Sequence, residues 1–346
     1  MTTAAPALLE LDDLSVAYPM RTGVLRRLTG HVTAVDHVSL TVQSGETLGL
    51  VGESGCGKST LGRTVIGLTR ATGGRIRLDG NDLATLSRAG QKQCRRQMQM
   101  VFQDPVGSLN PRFRIRDIVL EGRRIQRIKD ARTEREVVDD ILGKVGLDPN
   151  MADRFPHELS GGQRQRVGIA RTLVLGPRLI VADEPISALD VSVQSQVLNL
   201  LVDLQREFGL AYLFIAHNLA AVAYLADRIA VMYLGKIVEL GPSEAVTSRP
   251  LHPYTVALLS AVPDAVGGYR SDRLQLQGEM PSPLAPPSGC RFRTRCPIAR
   301  EICARDVPAL DLCAPAHAVA CHFAGALPPP LASGRAPDPD VHRSLP

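Results

Sequence analysis

Gly52-Glu53-Ser54-Gly55-Cys56-Gly57-Lys58-Ser59-Thr60 follows the apolar run Thr47–Val51 and leads into a stretch of helical character that opens at Lys58. It fits G-x-x-x-x-G-K-[ST], a loop between a strand and a helix whose backbone N–H groups cradle phosphate. Its glycines let those N–H groups turn inward, and the start of the helix adds a dipole that favours anions. The pattern places Lys58 within reach of the β- and γ-phosphates and gives Ser59 an oxygen for Mg²⁺. Small residues are tolerated at position 56, so Cys56 reads as filler.

A phosphate loop needs a second element to hold the metal and activate water. Leu179-Ile180-Val181-Ala182-Asp183-Glu184 is an apolar strand that ends in two carboxylates. Asp183 would support Mg²⁺ through its water shell, and Glu184 would polarise the attacking water as general base. Taken alone, the same residues also describe a strand ending in a solvated acidic turn.

Outward from these two motifs the chain alternates strands and helices. Strands are expected at residues 8–18, Val35–Val42, Thr47–Val51, Arg75–Leu78, Met98–Phe102, Leu179–Ala182, Tyr212–Ala216, Arg228–Tyr233 and Ile237–Leu240, with turns at Ser44-Gly45, Gly73-Gly74 and Asp79-Gly80. Helices are expected from Lys58 to about Leu68, from Gly161 to about Leu175, over Gln194–Phe208 and near Leu219–Ala226. Between about Ile115 and Val145, charges interleave with apolar residues at helical spacing, which reads as an inserted helical subdomain. The alternation implies a mainly parallel sheet covered on both faces.

The chain has 346 residues, of which 44% are hydrophobic and 22% charged, an ordinary globular composition. Its formal charge of +5 is diffuse and carries no nucleic-acid motif. No run reaches the ~18 apolar residues of a membrane helix, and Met1–Leu9 lacks the pattern of a signal peptide. The expectation is a protein peripheral to the cytoplasmic face of a membrane, held there through partners.

Leu159-Ser160-Gly161-Gly162-Gln163 lies between the two motifs, with Ser160 placed to cap a helix. Here the sequence resembles the ABC ATPases, whose signature is LSGGQ, over about residues 8–260. The resemblance implies an α/β fold: a P-loop NTPase cassette with a RecA-like parallel core, an antiparallel β subdomain and the helical insert at about 104–172. It also implies that Ser160, Gly161, Gly162 and Gln163 face the γ-phosphate held by an opposite subunit. Other positions carry over singly: Tyr18 as the aromatic that stacks on adenine, Gln103 as the glutamine that meets Mg²⁺ and water, Asp190 as the acid between subunits, and His217 as the γ-phosphate contact. Asn218 departs from the pattern, since many members carry Asp after that histidine.

The tail narrows the resemblance. Arg249-Pro250-Leu251-His252-Pro253-Tyr254-Thr255 is similar to a segment of oligopeptide/dipeptide (Opp/Dpp) importer ATPases, and residues 45–63 (GETLGLVGESGCGKSTLGR) look more like the F-type than the D-type subunit. Residues 1–248 then form the nucleotide-binding domain and 249–323 a small loop-rich C-terminal extension. Residues 249–289 read as a proline-rich linker with one helix, about Tyr254–Ala261, and 324–346 as a disordered tail. Cys290, Cys296, Cys303 and Cys321 resemble the cysteine motif of that group, which implies a [4Fe–4S] cluster. Four thiolates suit zinc as well, with Cys313, His317 and His322 as further candidates, and free thiols on a loose tail are the plain alternative. The segment looks too small for a core of its own, so a metal centre is expected to stabilise it.

The function so implied is ATP binding and hydrolysis energising di- or oligopeptide import. Its partners would be a D-type ATPase subunit, two transmembrane permease subunits and an extracytoplasmic peptide-binding protein, with no nucleic acid. Import of nickel or another small solute, a soluble ATPase acting on DNA or ribosomes, and an iron–sulfur redox or iron-sensing tail stand as alternatives.

Overall fold

The structure is a computed structural model and describes residues 7–22, 27–104, 107–261 and 278–327. Its strands are β1 (Leu9–Thr22), β2 (Arg27–Val42), β3 (Thr47–Val51), β4 (Gly73–Leu78), β5 (Asn81–Asp82), β6 (Met98–Val101), β7 (Leu179–Asp183), β8 (Ala211–Ala216), β9 (Arg228–Tyr233), β10 (Lys236–Pro242), β11 (Asp311–Ala314) and β12 (His317–Val319). Its helices are α1 (Lys58–Val65), α2 (Arg88–Gln97), α3 (Ile115–Gln126), α4 (Glu134–Lys144), α5 (Gly161–Leu173), α6 (Val191–Phe208), α7 (Leu219–Leu225), α8 (Ser243–Ser248), α9 (Pro253–Ser260) and α10 (Ile302–Arg305).

The larger sheet runs β11-β12-β10-β9-β3-β8-β7-β6. From β9 to β6 every pair is parallel, whereas β10, β12 and β11 join antiparallel. A smaller antiparallel sheet, β2-β1-β4-β5, covers one face. Strand periodicity sorts the side chains: Leu48, Leu50, Val181, Leu213, Ile215 and Met232 enter the core under the small sheet and α1. Val51, Ile180, Ala182, Tyr212, Phe214 and Val231 enter the core shared with α3 to α7. Both faces are buried, which explains why these strands read as continuous apolar runs.

Several elements differ from expectation. Gly73-Gly74 is not a free turn: Gly73 pairs with Ser15 and opens β4. Helix α1 ends at Val65, short of Leu68. Helix α2 (RAGQKQCRRQ) buries no residue and so offered no apolar stripe to read; Ser87 starts it by accepting the Gly90 N–H. The first part of the proline-rich stretch after β10 is core, with His252, Tyr254 and Thr255 all buried, whereas most of residues 278–289 is exposed. Strands β11 and β12 bring the cysteine segment onto the large sheet, where Glu239 of β10 pairs with Val319. The rest of the linker, 262–277, and residues 328–346 of the tail lie outside the described residues.

Candidate active site

Strands β3, β6, β7, β8 and β9 are parallel, so their carboxyl ends share one edge, where open α/β sheets bind ligands. The phosphate loop leaves β3 at the centre of that edge. Two of its glycines are sterically required: a Cβ at Gly52 would lie 2.2 Å from the Met232 carbonyl oxygen, and one at Gly57 would lie 2.1 Å from that of Ala34. Gly57 also has φ 111°, a backbone that L side chains rarely adopt. It is the N-cap of α1 and contributes no side-chain bond, leaving the N–H groups of the first turn for a ligand.

Lys58 is buried, and its Nζ donates to the carbonyls of Gly52 at 2.7 Å and Glu53 at 2.9 Å. Ser59 Oγ donates to Asp183 Oδ1 at 2.8 Å, joining the loop to the end of β7. Burial pushes the Asp183 carboxyl above the usual carboxylate range, against the Ser59 hydrogen bond and the nearby charges of Arg63 and Lys58. A buried carboxyl beside a hydroxyl is a hard oxygen set of the kind Mg²⁺ takes, so these residues fit that ion.

Glu184 follows with φ 46°, a left-handed conformation that costs a non-glycine residue about 1–3 kcal/mol. Its N–H is held by the Ile215 carbonyl at 2.9 Å. Its Oε2 accepts from Gln103 Nε2 at 3.1 Å and lies 3.3 Å from His217 Nδ1. Gln103 comes just after β6 and His217 just after β8, so three strand ends converge on one carboxylate.

These groups line a cleft of about 780 Å³. Ser54, Gly55, Gly57, Lys58, Ser59, Thr60, Gln103, Glu184 and His217 face it. Gly52, Glu53, Cys56 and Asp183 do not: Asp183 is joined to the cleft through Ser59 Oγ, and burial pushes the Cys56 thiol up. Tyr18 stands on β1 opposite Val32, partly exposed and outside the cleft lining. Asp190 is the N-cap of α6, and its carbonyl accepts the Gln194 N–H at 2.9 Å. Ala34, Asp104, Ser187 and Ala188 also line the cleft. Of these, Asp104 could have been suspected from its place beside Gln103; Ala34 carries no chemical signal.

Ser160, Gly161, Gly162 and Gln163 line none of it. They form the start of α5 as a reciprocal cap: Ser160 Oγ accepts the Gln163 N–H at 3.3 Å, and Gln163 Oε1 accepts the Ser160 N–H at 3.0 Å. The helix start therefore lies outside the cleft lined by the chain's own phosphate loop.

Residues 35–187 match the family model described as ABC transporter, and 238–303 match that of the oligopeptide/dipeptide transporter C-terminal region. The oligopeptide transport ATP-binding protein AppF of Bacillus subtilis (strain 168) is 52% identical over 319 residues, covering 91% of this chain and 97% of that protein. The chain belongs to the ATP-binding subunits of the Opp/Dpp-type ABC transporters. Among solved structures, this ABC ATPase resembles cbiO1 from Clostridium perfringens, part of the ABC transporter complex cbiONQ, with TM-score 0.60, 28% identity, and 69% and 90% of the two chains covered. It is equally similar in fold to MJ0796, a bacterial ABC transporter cassette solved as a dimer, with TM-score 0.60, 26% identity, and 68% and 98% covered.

The cysteine expectation for this ABC ATPase is corrected by the structure. Among the described residues no group of three or more His, Cys, Asp or Glu side chains could hold a metal ion, so neither the [4Fe–4S] cluster nor zinc stands at Cys290, Cys296, Cys303 and Cys321. Metal ligation needs deprotonated, convergent thiolates. Burial pushes the thiols of Cys290 and Cys296 up and that of Cys321 up to about 11. All are free cysteines, as is the exposed Cys313. His317 is committed to Glu239 Oε1 at 2.7 Å, and His322 Nε2 lies 3.0 Å from the Asp306 carbonyl. The stability assigned to a metal comes from elsewhere. Besides its strands, the segment inserts Phe292, 1% exposed, among the rings of Tyr233, Tyr254 and His252.

Proposed function

We propose that this chain binds and hydrolyses ATP as one half of a two-subunit ATP sandwich that energises import of di- or oligopeptides. The observation that carries the reading is a division of labour. Lys58, Ser59 and the Gln103–Glu184–His217 group line one cleft, with Asp183 buried and bonded to Ser59, while the helix start at Ser160 lies outside that lining. A second subunit's signature would complete this cleft, and Ser160, Gly161 and Gly162 would complete the partner's.

Within the cleft, the loop N–H groups and Lys58 take the phosphate oxygens. Ser59 and Asp183 would hold Mg²⁺, whose chemistry is to neutralise charge on the β- and γ-oxygens. Glu184, aimed by Gln103 and His217, which both meet its Oε2, orients and polarises the attacking water. In this reading His217 also contacts the γ-phosphate, Tyr18 stacks on adenine, and Asp190 communicates between subunits.

Peptide as cargo is supported by the names of relatives such as AppF, and a dimer by the assembly in which MJ0796 was solved. A D-type ATPase, two permease subunits and an extracytoplasmic peptide-binding protein complete the proposed assembly. No helix among the described residues is long and apolar enough to cross a membrane, so membrane association falls to the permeases. Reconstituted in vesicles with those subunits, the complex should take up peptide only with ATP and Mg²⁺. Uptake that survives Lys58→Ala would refute the reading.

A further inference from the structure

Glu53, the second residue of the phosphate loop, does not line the cleft, yet it is held on three sides. Its carbonyl accepts Lys58 Nζ at 2.9 Å. Its N–H donates to the Tyr254 hydroxyl at 2.7 Å. Its carboxylate takes both arms of Arg295, Nη1 to Oε2 at 2.7 Å and Nη2 to Oε1 at 3.1 Å. Tyr254 and Arg295 lie 201 and 242 residues further along the chain, in α9 and in the cysteine segment.

Both partners are fixed in place. Tyr254 is fully buried, and Phe292, three residues before Arg295, packs on its ring with centroids 5.4 Å apart. The Arg295 side chain is 7% exposed, and a bidentate guanidinium–carboxylate pair is directional as well as strong. The segment touches the loop again nearby. Arg291 bonds the Leu234 carbonyl and Asp36, bracing the turn whose Gly235 N–H donates to the Cys56 carbonyl at 2.8 Å.

The Glu53 N–H shares one peptide plane with the Gly52 carbonyl, so holding Glu53 by N–H and carboxylate fixes that plane and with it the Gly52 carbonyl that Lys58 Nζ meets at 2.7 Å. Two of the three donors of Lys58 are spent on the carbonyls of Gly52 and Glu53, so the orientation of that peptide sets where the ammonium stands. Catalytic geometry is sensitive to displacements of about 1 Å.

We propose that the C-terminal segment, through Arg295 and Tyr254, is a positioning clamp on the phosphate loop that sets its affinity for ATP. The proposal rests on the ATP-binding reading above. Arg295 and Tyr254 touch no reacting atom; they act through Glu53 and Lys58. Because linkage is reciprocal, ATP binding in turn tightens the segment around Arg295.

The test is ATP affinity, measured by titration of the full chain with Mg²⁺ present. Arg295→Ala raises Kd by about tenfold, and Arg295→Lys recovers part of the loss. Glu53→Ala combined with Arg295→Ala is no worse than either alone, because both cut one link. Tyr254→Phe keeps the ring packing and removes only the hydroxyl; it raises Kd in the same direction, which keeps the test open should Arg295→Ala fold poorly. In the assembled transporter, Arg295→Ala raises KM for ATP by a similar factor with little change in kcat. Hydrogen exchange around residues 290–296 slows when ATP binds the wild type. Variants that lower the melting temperature yet bind ATP as the wild type does would make the contacts merely structural and overturn the clamp. A wild-type chain that fails to bind ATP would overturn the functional reading, and the clamp with it.

Discussion

Gln103 donates its side-chain amide to Glu184 Oε2 at 3.1 Å, tying the end of the outermost parallel strand to the residue that follows β7. The bond spans 81 residues of sequence and leaves Oε1 of Glu184 without a part in it. A carboxylate held by one oxygen on a strained backbone is aimed before substrate arrives, as a general base requires.

Glu184→Gln keeps the shape and removes the base. The variant should bind ATP with unchanged affinity and lose turnover by about 10²-fold or more. Nucleotide titration and phosphate release on the same preparation check this. Hydrolysis at the wild-type rate would remove Glu184 from its role.

Ser160 separates binding from hydrolysis. Since it lies outside its own cleft, replacing it should leave ATP affinity of the isolated chain intact. Ser160→Asp keeps an N-cap side chain, so α5 remains capped, and sets a negative charge toward the partner's γ-phosphate. ATP turnover of the paired complex should fall by about 10²-fold while the melting temperature holds. A matching drop in the affinity of the isolated chain would place Ser160 in its own site instead. The unpaired wild-type chain should be a poor ATPase whose specific activity rises on adding the partner.

Much of this site was legible because its chemistry sits in short motifs at strand ends. Thr47–Val51 and Arg228–Tyr233 are apolar runs closed by turn residues, and their bounds as strands agree with expectation. Helix α2 was not read because RAGQKQCRRQ has no apolar period, although its Arg, Ala, Lys and Gln residues are good helix formers. The cysteine segment misled for a different reason. Spacing shows which thiols could ligate, but ligation depends on convergence, and here Phe292, His317 and the β10–β12 pairing do the stabilising. The Glu53–Arg295 pair joins residues 242 positions apart with no motif between them, so only the folded chain brings it to view.

Asp183 predicts a conflict between stability and function. Its carboxyl is raised by burial, so the ionised form costs the fold stability at neutral pH; that cost is absent below the unfolded carboxyl range and grows as pH rises through the folded value. Asp183→Asn should therefore raise the melting temperature without nucleotide by a few degrees and flatten its fall with rising pH. The same change should raise the Mg²⁺ concentration needed for half-maximal hydrolysis by about tenfold or more. A variant that melts lower than wild type at pH 7 would show that the Ser59 hydrogen bond outweighs the burial.

His252 gives the fold a sensitivity to acid. It is fully buried, its Nδ1 accepts the Tyr254 N–H at 3.0 Å, and its ring packs on Phe292. Burial holds its pKa down to about 4 from an ordinary 6.5, with the nearby Glu239 acting in the opposite direction. Between those values the unfolded chain binds a proton that the folded chain refuses, so stability falls as pH drops from about 6.5 toward about 4. The loss attributable to this one group reaches about 3 kcal/mol at the acid end. His252→Asn retains an acceptor for the Tyr254 N–H and removes the titrating ring. Denaturant unfolding between pH 7 and pH 4 should then show a shallower decline for the variant than for the wild type. Equal slopes would mean that His252 finds a proton acceptor in the folded state, with Glu239, whose carboxylate already takes the His252 N–H at 3.0 Å, as the nearest one.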